Sequence, residues 1–249
     1  MSKNFKQFDS RWGSMGYPYS PYTVRGSGCG PTSLADIIVN NPDHMGVTPA
    51  TTAKYMRGKG YAIPGQGTTW DGMTQTLKHY GFKVSQPDTV SEFMAEMKKA
   101  NRWGVMLVNS NYAPDGTRWT SGGHYVAVVD VKTKGEKRYF YTYDPGARAH
   151  NGWYCYETSI KGCINKFWVG KLKLKVPTSK LKKGTKKKKE TAWLQLCLNK
   201  VLGTNLTPDG IFGDKTASAV NKYKKKCGFK KIDGIYGPKT QAKLKGAIK

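Results

Sequence analysis

The chain has no apolar run approaching the ~20 residues that a membrane-spanning helix requires. Yet 38% of its 249 residues are hydrophobic and 12% aromatic, enough to bury a core and to exclude wholesale disorder. The start, Met1-Ser2-Lys3-Asn4-Phe5-Lys6, lacks the apolar segment of a secretory signal, so the expectation is a protein made in the cytoplasm that reaches any outside target by another route. Cys-x-x-Cys is also absent. The five cysteines stand at 29, 155, 163, 197 and 227, which leaves a zinc ribbon or a thioredoxin motif unsupported. Cys155 and Cys163 could pair, but reduced, packed thiols are expected without an export signal. Histidine is scarce, at four, and acidic residues number 16 against 42 Lys and Arg, a net charge of +26 at pH 7. Residues 1–170 carry 20 basic and 12 acidic side chains (+8); residues 171–249 carry 22 and 4 (+18). That asymmetry points to a polyanionic partner for the C-terminal part. Nucleic acid, anionic lipid and anionic cell-wall polymer all satisfy it on charge alone.

What is present begins with an aromatic, Gly- and Pro-rich arm over residues 4–26, which reads as irregular. A helix is expected from Pro31 to about Asn40, with Leu34, Ile37 and Ile38 on one face and Pro42 enforcing the stop. Thr48 can cap a second helix to Arg57, Thr69 a third from Trp70 to about Tyr80, and a fourth spans Ser91 to Ala100. Strands follow at Val105–Val108, His124–Val131, Arg138–Tyr143 and Phe167–Val169. Helices first and an antiparallel sheet afterwards indicate an α+β domain over residues 1–170. Residues 171–190, with Lys186-Lys187-Lys188-Lys189, read as a solvated Lys-rich linker. Beyond it, Asp209-Gly210-Ile211-Phe212-Gly213-Asp214-Lys215-Thr216 recurs as Asp233-Gly234-Ile235-Tyr236-Gly237-Pro238-Lys239-Thr240. Each copy is a tight turn before a helical pattern, with Thr216 or Thr240 as the expected cap. Together with a helix over about Thr191–Leu202 they make residues 191–249 a small all-α domain of three helices.

Chemistry concentrates on Gly28-Cys29-Gly30-Pro31. Pro31 suits a first helical turn, which puts Cys29 at a helix N-terminus. Unpaired N–H groups and the helix dipole there favour an anion and lower a thiol pKa. The flanking glycines would let backbone and substrate approach closely. A lone cysteine is more commonly a small packing residue, so partners decide. Of the four histidines only His124 opens an apolar strand, after Ser121-Gly122-Gly123. Asp144 follows the next strand. If those two strands are antiparallel neighbours, His124 and Asp144 meet at one edge, giving a thiol, an imidazole and a carboxylate that orients it. Asp144-Pro145-Gly146 also explains itself as a turn.

Gln7-Phe8-Asp9-Ser10-Arg11-Trp12, Gly28-Cys29-Gly30-Pro31-Thr32-Ser33-Leu34-Ala35, Gly123-His124-Tyr125-Val126 and Tyr143-Asp144-Pro145 resemble the papain-like fold. They are closest to the bacteriocin-processing cysteine peptidases and their cell-wall-lytic relatives. The resemblance implies Cys29 as nucleophile, His124 as general acid/base, Asp144 as orienting residue and Gln7 as the oxyanion-hole side chain, with no metal or cofactor. Many papain-like enzymes carry that glutamine a few residues before the cysteine, where this chain has Tyr22-Thr23-Val24-Arg25; Gln7 lies 22 residues upstream. Trp70, Trp103, Trp119 and Trp153 could line a groove, core packing being the expectation for at least two; Trp70 and Trp119 are the substrate-contact candidates. The repeat resembles the three-helix peptidoglycan-binding domain of cell-wall hydrolases over about residues 186–247. Phe212 and Tyr236 are its ligand-contact candidates, or else core. The two resemblances imply a phage endolysin, made without a signal peptide and released to the wall at lysis. It would cleave a peptide bond of the stem or cross-bridge or, alternatively, the amide between muramic acid and alanine. Peptidoglycan is the expected partner and anionic wall polymers a second. A non-catalytic nucleic-acid binder is the remote alternative, since no nucleic-acid motif accompanies the charge.

Overall fold

A computed structural model describes residues 3–147 and 150–248; Met1, Ser2, Arg148, Ala149 and Lys249 lie outside it. The chain divides into two compact units that meet between Leu172 and Lys173.

In the first unit the arm holds no long element, only a bridge between Gly16 and Thr23 and a one-turn helix, α1 (Val24–Ser27). Helices α2 (Cys29–Ile38), α3 (Pro49–Gly58), α4 (Trp70–His79) and α5 (Val90–Met97) follow. Thr48, Thr69 and Thr89 cap the last three, each accepting a backbone N–H in the first turn. Two short strands, β1 (Ala62–Ile63) and β2 (Gly67–Thr68), pair between α3 and α4. The remaining strands are β3 (Phe82–Ser85), β4 (Arg102–Val108), β5 (His124–Lys134), β6 (Lys137–Tyr143), β7 (Gly152–Cys155) and β8 (Ile164–Leu172). They form one antiparallel sheet in the order β3-β8-β4-β5-β6-β7. The α+β class expected from the sequence is what the chain adopts.

Strand alternation decides what each sheet face carries. Met106, Val108, Val126, Val128, Phe140, Phe167 and Val169 point to one face and pack on Phe93, Met94 and Met97 of α5, with Phe93 stacked on Phe167 at 4.2 Å. The intervening residues face the other way. There Ser33 Oγ of α2 donates to the Tyr125 carbonyl at 2.9 Å, and Trp168 Nε1 donates to Thr74 Oγ1 of α4 at 3.1 Å. Every residue of α2 from Gly30 to Ile38 is buried. Cys29 opens that helix, so its position is fixed by the most deeply packed element of the unit.

The second unit contains α6 (Lys188–Leu202), α7 (Asp214–Lys226) and α8 (Pro238–Ala247), packed around Leu194, Leu198, Val220, Tyr223 and Leu244. Thr216 and Thr240 do not cap. The N-caps are Gly213 and Gly237, and both threonines are buried within the helices. The repeated aspartates fix the turns instead: Asp209 Oδ1 accepts from Ile211 N at 2.8 Å and Asp233 Oδ1 from Ile235 N at 3.1 Å. A side-chain amide of the preceding helix holds each turn, Gln195 receiving Gly210 N and Asn221 receiving Gly234 N. The solvated linker expected over residues 171–190 needs correcting as well. Leu181 is fully buried and bridges to Tyr236, Leu174 and Val176 pack on the helical core, and Ser179 donates twice to Glu190. The lysines mask four apolar anchors, Leu174, Val176, Pro177 and Leu181, spaced too irregularly to read as an element.

Candidate active site

Cys29 is the first residue of α2, and its thiol faces His124, the first residue of β5. Burial alone pushes the Cys29 thiol up. The hydrogen bond and charge of His124, with the Gly30 and Tyr125 backbone, outweigh it and set the thiol below its ordinary value. The other buried thiols go the opposite way: desolvation raises Cys163 and takes Cys197 to about 12. All five cysteines are free; Cys155 and Cys163 bond separately to Glu157 and the Asn111 carbonyl.

His124 Nε2 lies 2.7 Å from Asp144 Oδ1, which leaves Nδ1 for the thiol. Burial opposes a charged imidazole, but the bonds to Asp144 and Cys29 outweigh it and raise the His124 pKa. Asp144 is 1% exposed. Desolvation favours its neutral form, yet donation from His124, His150 and Gly146 N keeps the carboxyl well below the usual range. The shifts therefore favour a thiolate–imidazolium pair backed by an ionised carboxylate.

Strand register produces this meeting. The Ala127–Tyr143 pair of β5 and β6, extended outward, sets residue 124 opposite 146. A Cβ on Gly146 would lie 3.0 Å from both His124 Nε2 and Asp144 Oδ1, so a side chain there would crowd that bond. The glycines beside Cys29 have a different role from the expected one. Side chains there would strike Val24 and Thr68, so both serve packing rather than substrate approach.

Gln7 is buried and bonded at both ends of its backbone neighbourhood. Its N–H donates to the Pro145 carbonyl at 3.1 Å and its Nε2 to the Arg25 carbonyl at 2.6 Å. Lys6 Nζ donates to the Asp144 carbonyl and to Asn151 Oδ1, and Phe5 N to Asp36 Oδ1 of α2. The arm is thus stitched between α2 and the Asp144 turn, which closes the 22-residue gap to Cys29. Gln7, Cys29, His124 and Asp144 line one open cleft of about 750 Å³. Gln7 Oε1 is buried without a partner.

Trp70 stands half exposed on the cleft wall, with Lys166 Nζ 5.1 Å from its ring. Trp119 also lines the cleft but is 2% exposed, its Nε1 donating to the Ser159 carbonyl. Trp103 packs edge-on against Phe82 and Trp153 lies under Lys132 on an outer strand; neither lines the cleft. Phe212 and Tyr236, expected as ligand contacts, are 2% and 1% exposed. Both belong to the helical core, Tyr236 donating its hydroxyl to the Pro177 carbonyl at 2.8 Å. Sequence reasoning passed over His150, whose ring sits on Asp144, and Lys6, Asn151 and Gly146 around it.

No curated protein matches the chain significantly. Among solved structures, the peptidase domain of Streptococcus ComA, described as a bi-functional ABC transporter involved in a quorum-sensing pathway, is 17% identical over 57% of this chain and 89% of its own, with a TM-score of 0.40. A periplasmic domain of the EpsAB fusion protein of the Vibrio vulnificus type II secretion system is 13% identical over 68% and 65%, with a TM-score of 0.27. A peptidoglycan-binding protein from Clostridioides difficile, solved with glutamine hydroxamate, is 20% identical over 57% and 92%, with a TM-score of 0.26. Within the second unit, residues 187–244 match the family described as "Putative peptidoglycan binding domain".

Proposed function

We propose that the chain is a peptidoglycan hydrolase of the endolysin type, in which the first unit cuts by cysteine nucleophilic catalysis and the second holds the wall. The observation that carries this reading is the Nε2–Oδ1 bond of 2.7 Å between His124 and Asp144, with the Cys29 thiol on the other side of the same ring. The family match over residues 187–244 supports the wall as target.

In this reading the Cys29 thiolate attacks a carbonyl carbon, and negative charge develops on the carbonyl oxygen. The Cys29 N–H at the α2 terminus and the second Nε2 hydrogen of Gln7 are the donors that can meet it. His124, charged at the start, passes its Nδ1 proton to the leaving amine as the C–N bond breaks, which leaves a thioester and a neutral ring. That ring then takes a proton from water, whose hydroxide oxygen displaces the Cys29 thiolate and releases an acid, which restores the ion pair. Asp144 keeps Nε2–H pointed at itself throughout. The bond cut is a peptide bond of the stem or cross-bridge.

The test is digestion of purified walls by wild type and Cys29→Ala. Wild type should release soluble fragments, and the variant should sediment with walls equally well but release none. Mass spectrometry of the fragments identifies the bond; glycan strands stripped of whole stems would replace the peptidase reading with an amidase one. Undiminished release by Cys29→Ala refutes both.

A further inference from the structure

Asp144 carries more partners than a triad requires. Oδ1 accepts from His124 Nε2 and Gly146 N, each at 2.7 Å. Oδ2 accepts from His150 N at 3.0 Å and from His150 Nδ1 at 3.1 Å. Four donors thus fill the acceptor sites of one carboxylate, and His150 supplies two of them. We propose that His150 is a positioning residue of this site: its Nδ1–H, donated to Oδ2, fixes the plane of the Asp144 carboxylate so that Oδ1 stays on His124. This rests on reading Cys29, His124 and Asp144 as the hydrolytic centre.

The ring is itself held. Its centroid lies 4.7 Å from that of Trp119 at 34° and 5.8 Å from that of Tyr154. Trp119 is anchored through Nε1 on the Ser159 carbonyl at 2.8 Å. The His150 carbonyl accepts from Thr142 Oγ1 at 2.6 Å, which sets the direction of its backbone. A path of fixed groups therefore runs from Ser159 through Trp119 and His150 to Asp144, and from there to His124. The terminal torsion of an aspartate is broad; here each oxygen accepts one backbone N–H and one ring nitrogen, so the His150 ring adds to Oδ2 the hold that His124 adds to Oδ1. The charged and titratable groups facing Asp144 are His124, His150 and Lys6, with Tyr154 beside them. Because Oδ2 only accepts, Nδ1 is the protonated nitrogen of His150 in this arrangement.

A ring that merely fills space under Trp119 would do the same work without a donor, so two variants separate the roles. His150→Phe keeps a ring in the stack and loses the donor; His150→Asn keeps a donor near the Nδ1 position and loses the ring. Two quantities are read: wall cleavage, as kcat and KM, and the pH dependence of Cys29 alkylation by iodoacetamide, followed on the Cys29 peptide by mass spectrometry. Positioning predicts that His150→Phe lowers kcat about tenfold with KM unchanged, the worth of one hydrogen bond to a charged group. It also predicts that the alkylation midpoint rises by about one pH unit, because a drifting His124 holds the thiolate less well. His150→Asn should stay near wild type in both. A His150→Phe protein indistinguishable from wild type overturns the proposal, as does His150→Asn impaired to the same degree as His150→Phe. Should thermal unfolding show that the larger ring is not accommodated, His150→Ala is read against His150→Asn by the same alkylation midpoint: a rise in the alanine variant alone supports the proposal, and equal midpoints overturn it. A wild type that cuts no wall refutes the hydrolase reading, while the thiol midpoints still decide the role of His150.

Discussion

Replacing Asp144 by asparagine tests the site most sharply, because the structure fixes what the amide cannot do. An amide offers one oxygen where the carboxylate offers two. With that oxygen toward His124, the NH₂ faces His150, whose ring can exchange its tautomer but whose backbone N–H, now 3.0 Å from Oδ2, cannot. With the oxygen toward His150, the NH₂ faces His124 and the Gly146 N–H, now 2.7 Å from Oδ1. Either way one backbone N–H in a half-buried turn loses its acceptor, which costs about 1 kcal/mol. In the second orientation His124 must also accept at Nε2 and carry its proton on Nδ1, the tautomer that cannot take the thiol proton. A fall in kcat of at least about 100-fold follows, with wall binding intact.

The pH dependence of that stability loss has a definite form. Asp144 is held below the ordinary carboxylate range, so its contribution is complete above about pH 4 and is lost as pH falls toward the lower folded value. His124 is raised, so its contribution is complete below about pH 6.5 and is lost as pH rises toward the higher folded value. Wild type should therefore exceed Asp144→Asn by most between about pH 4 and 6.5, and the gap should narrow on both sides. Denaturant unfolding of the first unit at several pH values, followed by tryptophan fluorescence, measures it. A gap that widens below pH 4, or a variant that cuts walls within threefold of wild type, refutes the reasoning.

Gln7→Ala should lower kcat by about 100-fold, as expected for one oxyanion donor. It should change stability by less than about 1 kcal/mol, because the unpartnered Oε1 leaves together with the bond to Arg25; equal losses in rate and in stability would make Gln7 a structural residue only. Raising salt from about 0.05 to 0.5 M should weaken sedimentation with walls strongly, since screening shortens to a few ångströms, while hydrolysis of a small soluble muropeptide should change less than about twofold. Parallel losses would place the cationic surface in the chemical step.

Cys29 and its helix were legible because their signals are local. A proline one turn in, glycines on both sides of a cysteine and an apolar stripe say helix start without reference to the rest of the chain. His124 and Asp144 were legible through strand periodicity, and the antiparallel β5–β6 pairing brings them together. His150 was not, because its placement depends on β7, four residues whose composition announces nothing and whose extended shape comes from pairing with β6. Once β7 is known, the Thr142–Gly152 pair extended toward the turn sets residue 150 across from Asp144. The two threonine caps failed for a related reason: side-chain amides of the preceding helices, Gln195 and Asn221, hold the repeat turns, and a single repeat motif does not contain them.

Charge and chemistry are kept apart by the same residues that build the fold. The 22 basic residues after position 170 face only four acidic ones, and those four are already engaged. Glu190 holds Ser179, Asp209 holds Gln195 and its own turn, Asp214 pairs with Lys183, and Asp233 pairs with Lys224 and Lys231. Part of the positive charge is used internally, Lys187 on Ser179, Lys226 on the Val201 carbonyl and Lys175 over Trp193, and the net +18 of residues 171–249 suits an anionic surface. Among the described residues lining the cleft there is no lysine or arginine, and Asp144 is the only carboxylate. A lysine placed there would compete with His124 for that carboxylate and draw the thiolate toward itself, and a second carboxylate would raise the thiol. Leaving the rest of the cleft to uncharged side chains lets Cys29, His124 and Asp144 set one another's protonation, while in the proposed function attraction to the wall would act through the lysines of the second unit.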